Sequence, residues 1–240
     1  MGFEFKYVVE AIPALLEGAK LSWYITIIGI LGGLALGTAA GLMRLAGTRA
    51  VGGASYGFTR ILGIICQKAA FAYIGLIRGT PIIVQAMFIY FALPMLIQAT
   101  TGLKGIRFDA LTAAVITIII NAGAYMAEIV RGSVLSVNKG LIEAGMAMGI
   151  SRMQLIASII GPIAFKRAIP PLGNQFIISL KDTSLFIVIG VGELTRQGQE
   201  IMASNFRAME IWSAVAVFYL IMTSALALML KLVEKRIKIV

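Results

Sequence analysis

Histidine is absent from this 240-residue chain, cysteine occurs once, at Cys66, and charged residues make up only 13% of it. Without histidines or a cysteine cluster, the usual zinc, haem and iron–sulfur ligand sets cannot be assembled, and a lone cysteine cannot form an intrachain disulfide. Cys66 reads as a small apolar side chain. The 11 carboxylates fall in no pair at metal-ligand spacing, so membrane-embedded metal chemistry has no donor set either. No GxxxxGK[ST] loop is present, and Gly190-Val191-Gly192 follows an apolar helical run, not a strand, so it is no nucleotide fingerprint. The chain is therefore not expected to be an enzyme, to carry a cofactor or to hydrolyse ATP itself.

Apolar residues, by contrast, make up 59% of the chain and fall in long uncharged runs, the signature of an integral membrane protein. An all-α protein of about five spans is expected. The first 20 residues carry Glu4, Lys6, Glu10, Glu17 and Lys20 around Pro13, which is not the order of a cleavable signal peptide and reads as an interfacial segment. Leu21 to Met43 is uncharged and long enough to cross ~30 Å of hydrocarbon. Gly29, Gly33, Gly37 and Gly41 recur in it every four residues, giving one face a groove for a neighbouring helix. Further spans are predicted from Pro81 to about Leu96 with Thr80 as its cap, then over Ala110–Val130, Leu172–Ile189 and Ile211–Leu230. Residues 61–77 could add a sixth helix.

Between two apolar regions lies a polar interruption over 138–162. Asn138 can cap a short helix, Gly149 suits the left-handed residue that ends it, and Ser151 with Gln154 has capping-box spacing for a second helix. Gly161-Pro162 is expected to stop that second helix, and Pro170-Pro171 to start the next. Ala144 and Gly145 leave one side of the first helix nearly bare, open to close approach by another protein.

The segment Glu143-Ala144-Gly145, with Gly149 four residues on and Ile159 and Pro162 beyond, resembles the EAA signature of ABC-importer permeases. Gly145 and Gly161 depart from it, standing where Ala and Leu are usual. Arg78-Gly79-Thr80-Pro81 and the run from Asn121 to Gly132 are similar to the polar amino acid branch of that family, although Gly75 stands where an acidic residue is common. The resemblance covers one permease domain, 1–240, of the type I importer fold. It implies that Glu143, Ala144, Gly145, Gly149 and Pro162 belong to a cytoplasmic loop coupling the membrane domain to ATPase subunits. A second permease copy or paralogue, an extracytoplasmic amino acid binding protein and a polar amino acid substrate are implied with it, and nucleic acid is not. A helix pair lying on the membrane surface is the plainer alternative for the loop.

Ionisable and polar residues inside spans are the candidate substrate contacts. Asn121, Tyr125 and Glu128 form one stripe of the third predicted span, and Lys181, Asp182 and Ser184 lie about ten residues into the fourth. Charges at that depth need a partner or water. They could serve an amino acid's ammonium and carboxylate, or a structural ion pair between helices or across a dimer. With the 138–162 loop inside, 15 of the 21 Lys and Arg fall on inner segments, Arg49 and Lys238 among them. That bias predicts a multi-pass protein of the cytoplasmic membrane with its N-terminus outside and its C-terminus inside. An ATP-independent amino acid carrier or channel, a permease for another small polar solute, and a structural scaffold are the rival functions.

Overall fold

The structure is a computed structural model that describes residues 2–45 and 58–237; Arg49 and Lys238 lie outside them. Among the described residues the regular structure is helical: α1 (Phe5–Leu45), α2 (Phe58–Arg78), α3 (Ile82–Thr101), α4 (Ala110–Leu135), α5 (Lys139–Ala147), α6 (Arg152–Ile189), α7 (Leu194–Asn205) and α8 (Ala208–Ile237). Five of them, α1, α3, α4, α6 and α8, are long and apolar enough to cross a membrane. The predicted 61–77 helix forms as α2, which carries Arg60, Lys68 and Arg78 and is not among those five.

Three boundaries differ from the sequence reading. Helix α1 starts at Phe5, well before Leu21, and runs for 41 residues through Pro13, about 60 Å at 1.5 Å per residue. Its early charges are matched along the helix, Lys6 to Glu10 at 3.7 Å and Lys20 to Glu17 at 2.6 Å. Helix α6 likewise does not stop at Gly161-Pro162 or restart at Pro170-Pro171, because all four residues lie inside it. The cause at Pro162 is a π-turn over Ile156–Ile160, closed by the Gly161 amide on the Ile156 carbonyl. A widened turn immediately before a proline absorbs the missing N–H and the ring. Helix α3 repeats the device: a π-turn at Phe88–Ala92 precedes Pro94. At the start of α3, Pro81 itself takes the cap position predicted for Thr80, whose carbonyl and hydroxyl accept from Gln85 Nε2, each at 3.0 Å.

The chain divides into two compact units. The first comprises Met1–Leu31, Thr80–Ile119 and Phe176–Met229. Its core joins Ala11, Leu15 and Ala19 of α1 to Leu180, Leu194, Ile211 and Val215, so one face of the early part of α1 is a packing surface while the rest of it stays exposed. Close approach is enforced by Gly18, where a Cβ would fall 2.8 Å from the Leu194 Cα. Ser22 Oγ fills the joint, donating to the Gly18 carbonyl and accepting from the Leu194 amide.

The second unit comprises Gly32–Gly79, Ile120–Gln175 and Leu230–Val240. Here the glycine stripe of α1 meets α4 as its spacing predicts. A Cβ on Gly37 would lie 2.7 Å from the Gly123 carbonyl oxygen, and one on Gly41 2.7 Å from that of Ala127. Backbone thus lies against backbone, the arrangement small residues permit between membrane helices. A separate small core of Val137, Leu155, Ile160 and Ala164 sits beneath the α5–α6 corner.

Candidate functional site

The corner at 138–162 is built by local rules that its sequence carries. Asn138 Oδ1 accepts from the Gly140 amide at 2.8 Å and opens α5. Gly149 closes it with φ +77°, a backbone conformation that costs any residue with a Cβ about 1–2 kcal/mol. Ser151 and Gln154 form the reciprocal capping box that starts α6. Glu143 and Ala144 are exposed, flanked by exposed Leu141, Met146, Met148 and Met153. Gly145 is not part of that outer face. It is buried, and a Cβ there would lie 2.6 Å from Leu155 Cδ1, so its smallness serves the packing of α5 on α6. Pro162 lies further along α6, just beyond the π-turn. Arg167 ties α6 back to the end of α4, donating to the Ser136 carbonyl and, at 3.1 Å, to its hydroxyl.

In the second unit the stripe Asn121, Tyr125 and Glu128 lies along α4. Asn121 is buried, and Tyr125 carries the Arg78 guanidinium 5.2 Å from its ring centre. Glu128 is already neutralised: Arg131 donates to its Oε2 from Nε at 2.9 Å and Nη2 at 2.7 Å, and Arg44 Nη2 stands 3.7 Å from Oε1. Neither arginine was identified as its partner from the sequence. Arg131 lies at i+3, a recognisable spacing, whereas nothing local marks Arg44.

Lys181, Asp182 and Ser184 belong to the first unit. Helix α6 begins at Arg152, so their depth is measured from its other end, where the last turns, Thr183–Ile189, are 3₁₀. At ~2.0 Å per residue these place Asp182 about 14 Å from that end of the helix. Ser184 Oγ donates to the Lys181 carbonyl at 2.7 Å, which leaves its oxygen free to accept. Among the described residues neither Lys181 nor Asp182 has an ion-pair partner on another element. The first turns of α3 pack against the same 3₁₀ segment.

One polar group near this segment escaped the sequence reading. Glu193 is fully buried and caps α7, its Oε2 accepting from the Thr195 amide at 2.9 Å and its Oε1 from the Arg196 amide at 2.8 Å. Tyr219 of α8 donates to the same carboxylate at 2.9 Å. Burial pushes this carboxyl above the usual carboxylate range, against the pull of those donors. The signal available was an acidic residue directly after a Gly-rich break and directly before a helix. Glu193→Ala is expected to lower stability by about 2–4 kcal/mol, since a cap is lost and buried donors are orphaned. Thermal unfolding of the purified protein measures it.

Comparison with known proteins agrees with this architecture. Residues 53–239 match the family described as binding-protein-dependent transport system inner membrane component. The glutamine transport system permease protein GlnP of Escherichia coli (strain K12) is 54% identical over 239 residues, covering 100% of both chains. The L-cystine transport system permease protein TcyL of Bacillus subtilis (strain 168) is 33% identical, covering 98% of this chain and 92% of its own. Among solved structures, that described as an amino acid ABC transporter with histidines superposes with a TM-score of 0.84 at 30% identity, covering 98% of this chain and 100% of the other. The helical superposition, a family match over most of the sequence and 54% identity along the whole of a permease show that the chain belongs to the binding-protein-dependent transport system inner membrane components, as a multi-pass ABC-transporter permease of the bacterial inner membrane.

Proposed function

We propose that this permease is the membrane path of an ATP-driven importer of polar amino acids, with glutamine the first substrate to test. The observation that carries the reading is the 54% identity to a glutamine permease over the whole of both chains. ATP is handled by the partner ATPase subunits of such a transporter, and the permease itself is not catalytic. An extracytoplasmic binding protein delivers the substrate, and a second permease copy or paralogue completes the path.

Charge supports an orientation with the N-terminus outside and the C-terminus inside. The stretches of the second unit hold fourteen Lys and Arg against three carboxylates, and those of the first hold seven against eight. An excess of that size belongs on the cytoplasmic face. The 138–162 corner then faces the cytoplasm, and the exposed Glu143 and Ala144, framed by methionines, are its ATPase-docking surface. Gly145, Gly149 and Pro162 act on coupling by holding the corner's shape. Gly149→Val is expected to leave the protein inserted yet cut ATP-driven uptake severely, because the left-handed corner is strained and the docking face is displaced. Uptake by proteoliposomes containing the permease, ATPase and binding protein, compared with ATPase co-purification, measures it. Normal uptake in that variant would remove the coupling role.

Within the path, Lys181 takes the substrate carboxylate and Asp182 its ammonium, while Ser184 contributes to reading the side chain. Glu128, occupied by two arginines, is the weaker candidate for the ammonium, and Asn121 and Tyr125 line its neighbourhood. Radiolabelled glutamine uptake by the reconstituted transporter tests the reading. Uptake without ATPase subunits would favour an independent carrier, and no uptake of any polar amino acid would sink the substrate assignment.

A further inference from the structure

The second unit contains a cavity of about 230 Å³ lined by Arg44, Phe71, Ile74, Gly75, Arg78 and Glu128. Its charges do not balance. Glu128 is satisfied by Arg131, which holds one carboxylate oxygen at hydrogen-bond distance from two donors. Arg44 reaches the other oxygen only at 3.7 Å, longer than a hydrogen bond. Among the described residues Arg78 has no carboxylate at ion-pair distance. Three guanidinium groups therefore share one carboxylate, and among the described residues the two that line the cavity leave most of their donors without a side-chain acceptor.

Both of those groups are held in place. Arg44 sits 4.8 Å over the Phe71 ring and Arg78 5.2 Å over the Tyr125 ring, contacts that fix a guanidinium plane without consuming its in-plane donors. The Arg44 side chain is only 19% exposed and shares its one carboxylate with Arg131, and burying a partly compensated cation is costly in a membrane protein. A complement for arginine helix ends could be supplied by the backbone carbonyls of the last turns. That would not require two cations to face a common cavity beside a glycine.

We propose that Arg44 and Arg78, backed by the Arg131–Glu128 pair, form a binding site for a phosphate-class anion, presented as an anionic lipid headgroup or as a free phosphate. Planar guanidinium forks suit phosphoryl oxygens, and the surplus of two positive charges matches such an anion. Gly75 lines the cavity, and nothing lies within 4 Å of the position its Cβ would take. A side chain there is sterically free to reach the cavity.

The decisive variant is therefore Gly75→Glu, which supplies a tethered carboxylate to the surplus cations without disturbing packing. Gly75→Ala is its steric control. The complete transporter would be placed in nanodiscs of phosphatidylglycerol and phosphatidylcholine, and the retained lipid counted by native mass spectrometry. Parallel titration in detergent would use inorganic phosphate, read by calorimetry. A preference of roughly tenfold for phosphatidylglycerol, kept in Gly75→Ala and lost in Gly75→Glu and Arg78→Gln, identifies a lipid headgroup site. Saturable phosphate binding with the same pattern, and no lipid preference, identifies a soluble anion. If neither anion distinguishes the parent from Gly75→Glu while the variant remains assembled, the proposal is overturned.

Discussion

Gly37→Leu is expected to abolish recovery of folded permease from the membrane. A Cβ at Gly37 would stand 2.7 Å from the Gly123 carbonyl oxygen, 2.7 Å from Met126 Cβ and 3.1 Å from the Ala127 amide nitrogen. None of these atoms is the far end of a flexible side chain. The helix axes would have to separate, and membrane helices associate largely through close packing, without a hydrophobic drive to restore it. Overpacking of a core typically costs about 1–3 kcal/mol for extra methylenes that can be absorbed, and here the obstacle is backbone on the facing helix. Against a total stability of about 5–15 kcal/mol, loss of the α1–α4 seam is not survivable. The matched control is again Gly75, where Gly→Ala meets open space and is expected to be neutral or to stabilise by up to about 1 kcal/mol. Detergent-solubilised yield and thermal unfolding of Gly37→Ala, Gly37→Leu and Gly75→Ala measure the series. Equal behaviour at the two positions would refute the close-packed seam.

What could be read in the sequence was what depends on neighbours along the chain. The caps at Asn138 and Ser151, the left-handed Gly149 and the every-fourth glycine face of α1 follow from spacing alone, and the structure contains each of them. Prolines misled because a proline's effect depends on the turn before it. A regular turn before Pro162 would have broken α6, and the π-turn at Ile156–Ile160 lets it continue, yet no residue pattern there announces a π-turn. Gly145 misled for a different reason: a bare helix face can admit another protein or its own neighbour, and Leu155 takes that place here. Glu128 looked available in the sequence because one of the arginines that claim it sits at the end of another helix. Pairing across helices is settled by packing, which local spacing does not encode.

The second large effect concerns transport itself. Lys181→Met combined with Asp182→Leu is expected to assemble with the partner subunits and keep basal ATPase activity, but to lose glutamine uptake. If the two residues formed a structural pair with other groups in the chain, apolar substitutes of similar size would often be tolerated. Within the chain no such pair exists among the described residues. Lys181 is exposed, Asp182 half-buried, and neither has an ion-pair partner on another element. An ammonium group within a membrane-spanning helix cannot face lipid at tolerable cost, so it must face an aqueous path or another subunit. A zwitterionic amino acid entering that path needs both charge signs close together where the dielectric is low. Each charge-assisted hydrogen bond lost is worth about 1.5–3 kcal/mol, roughly tenfold to a hundredfold in uptake efficiency. The single variants Lys181→Met and Asp182→Asn separate the carboxylate from the ammonium contact. Uptake at parental affinity and selectivity in the double variant would remove both residues from the substrate path and assign them to the contact between permease copies.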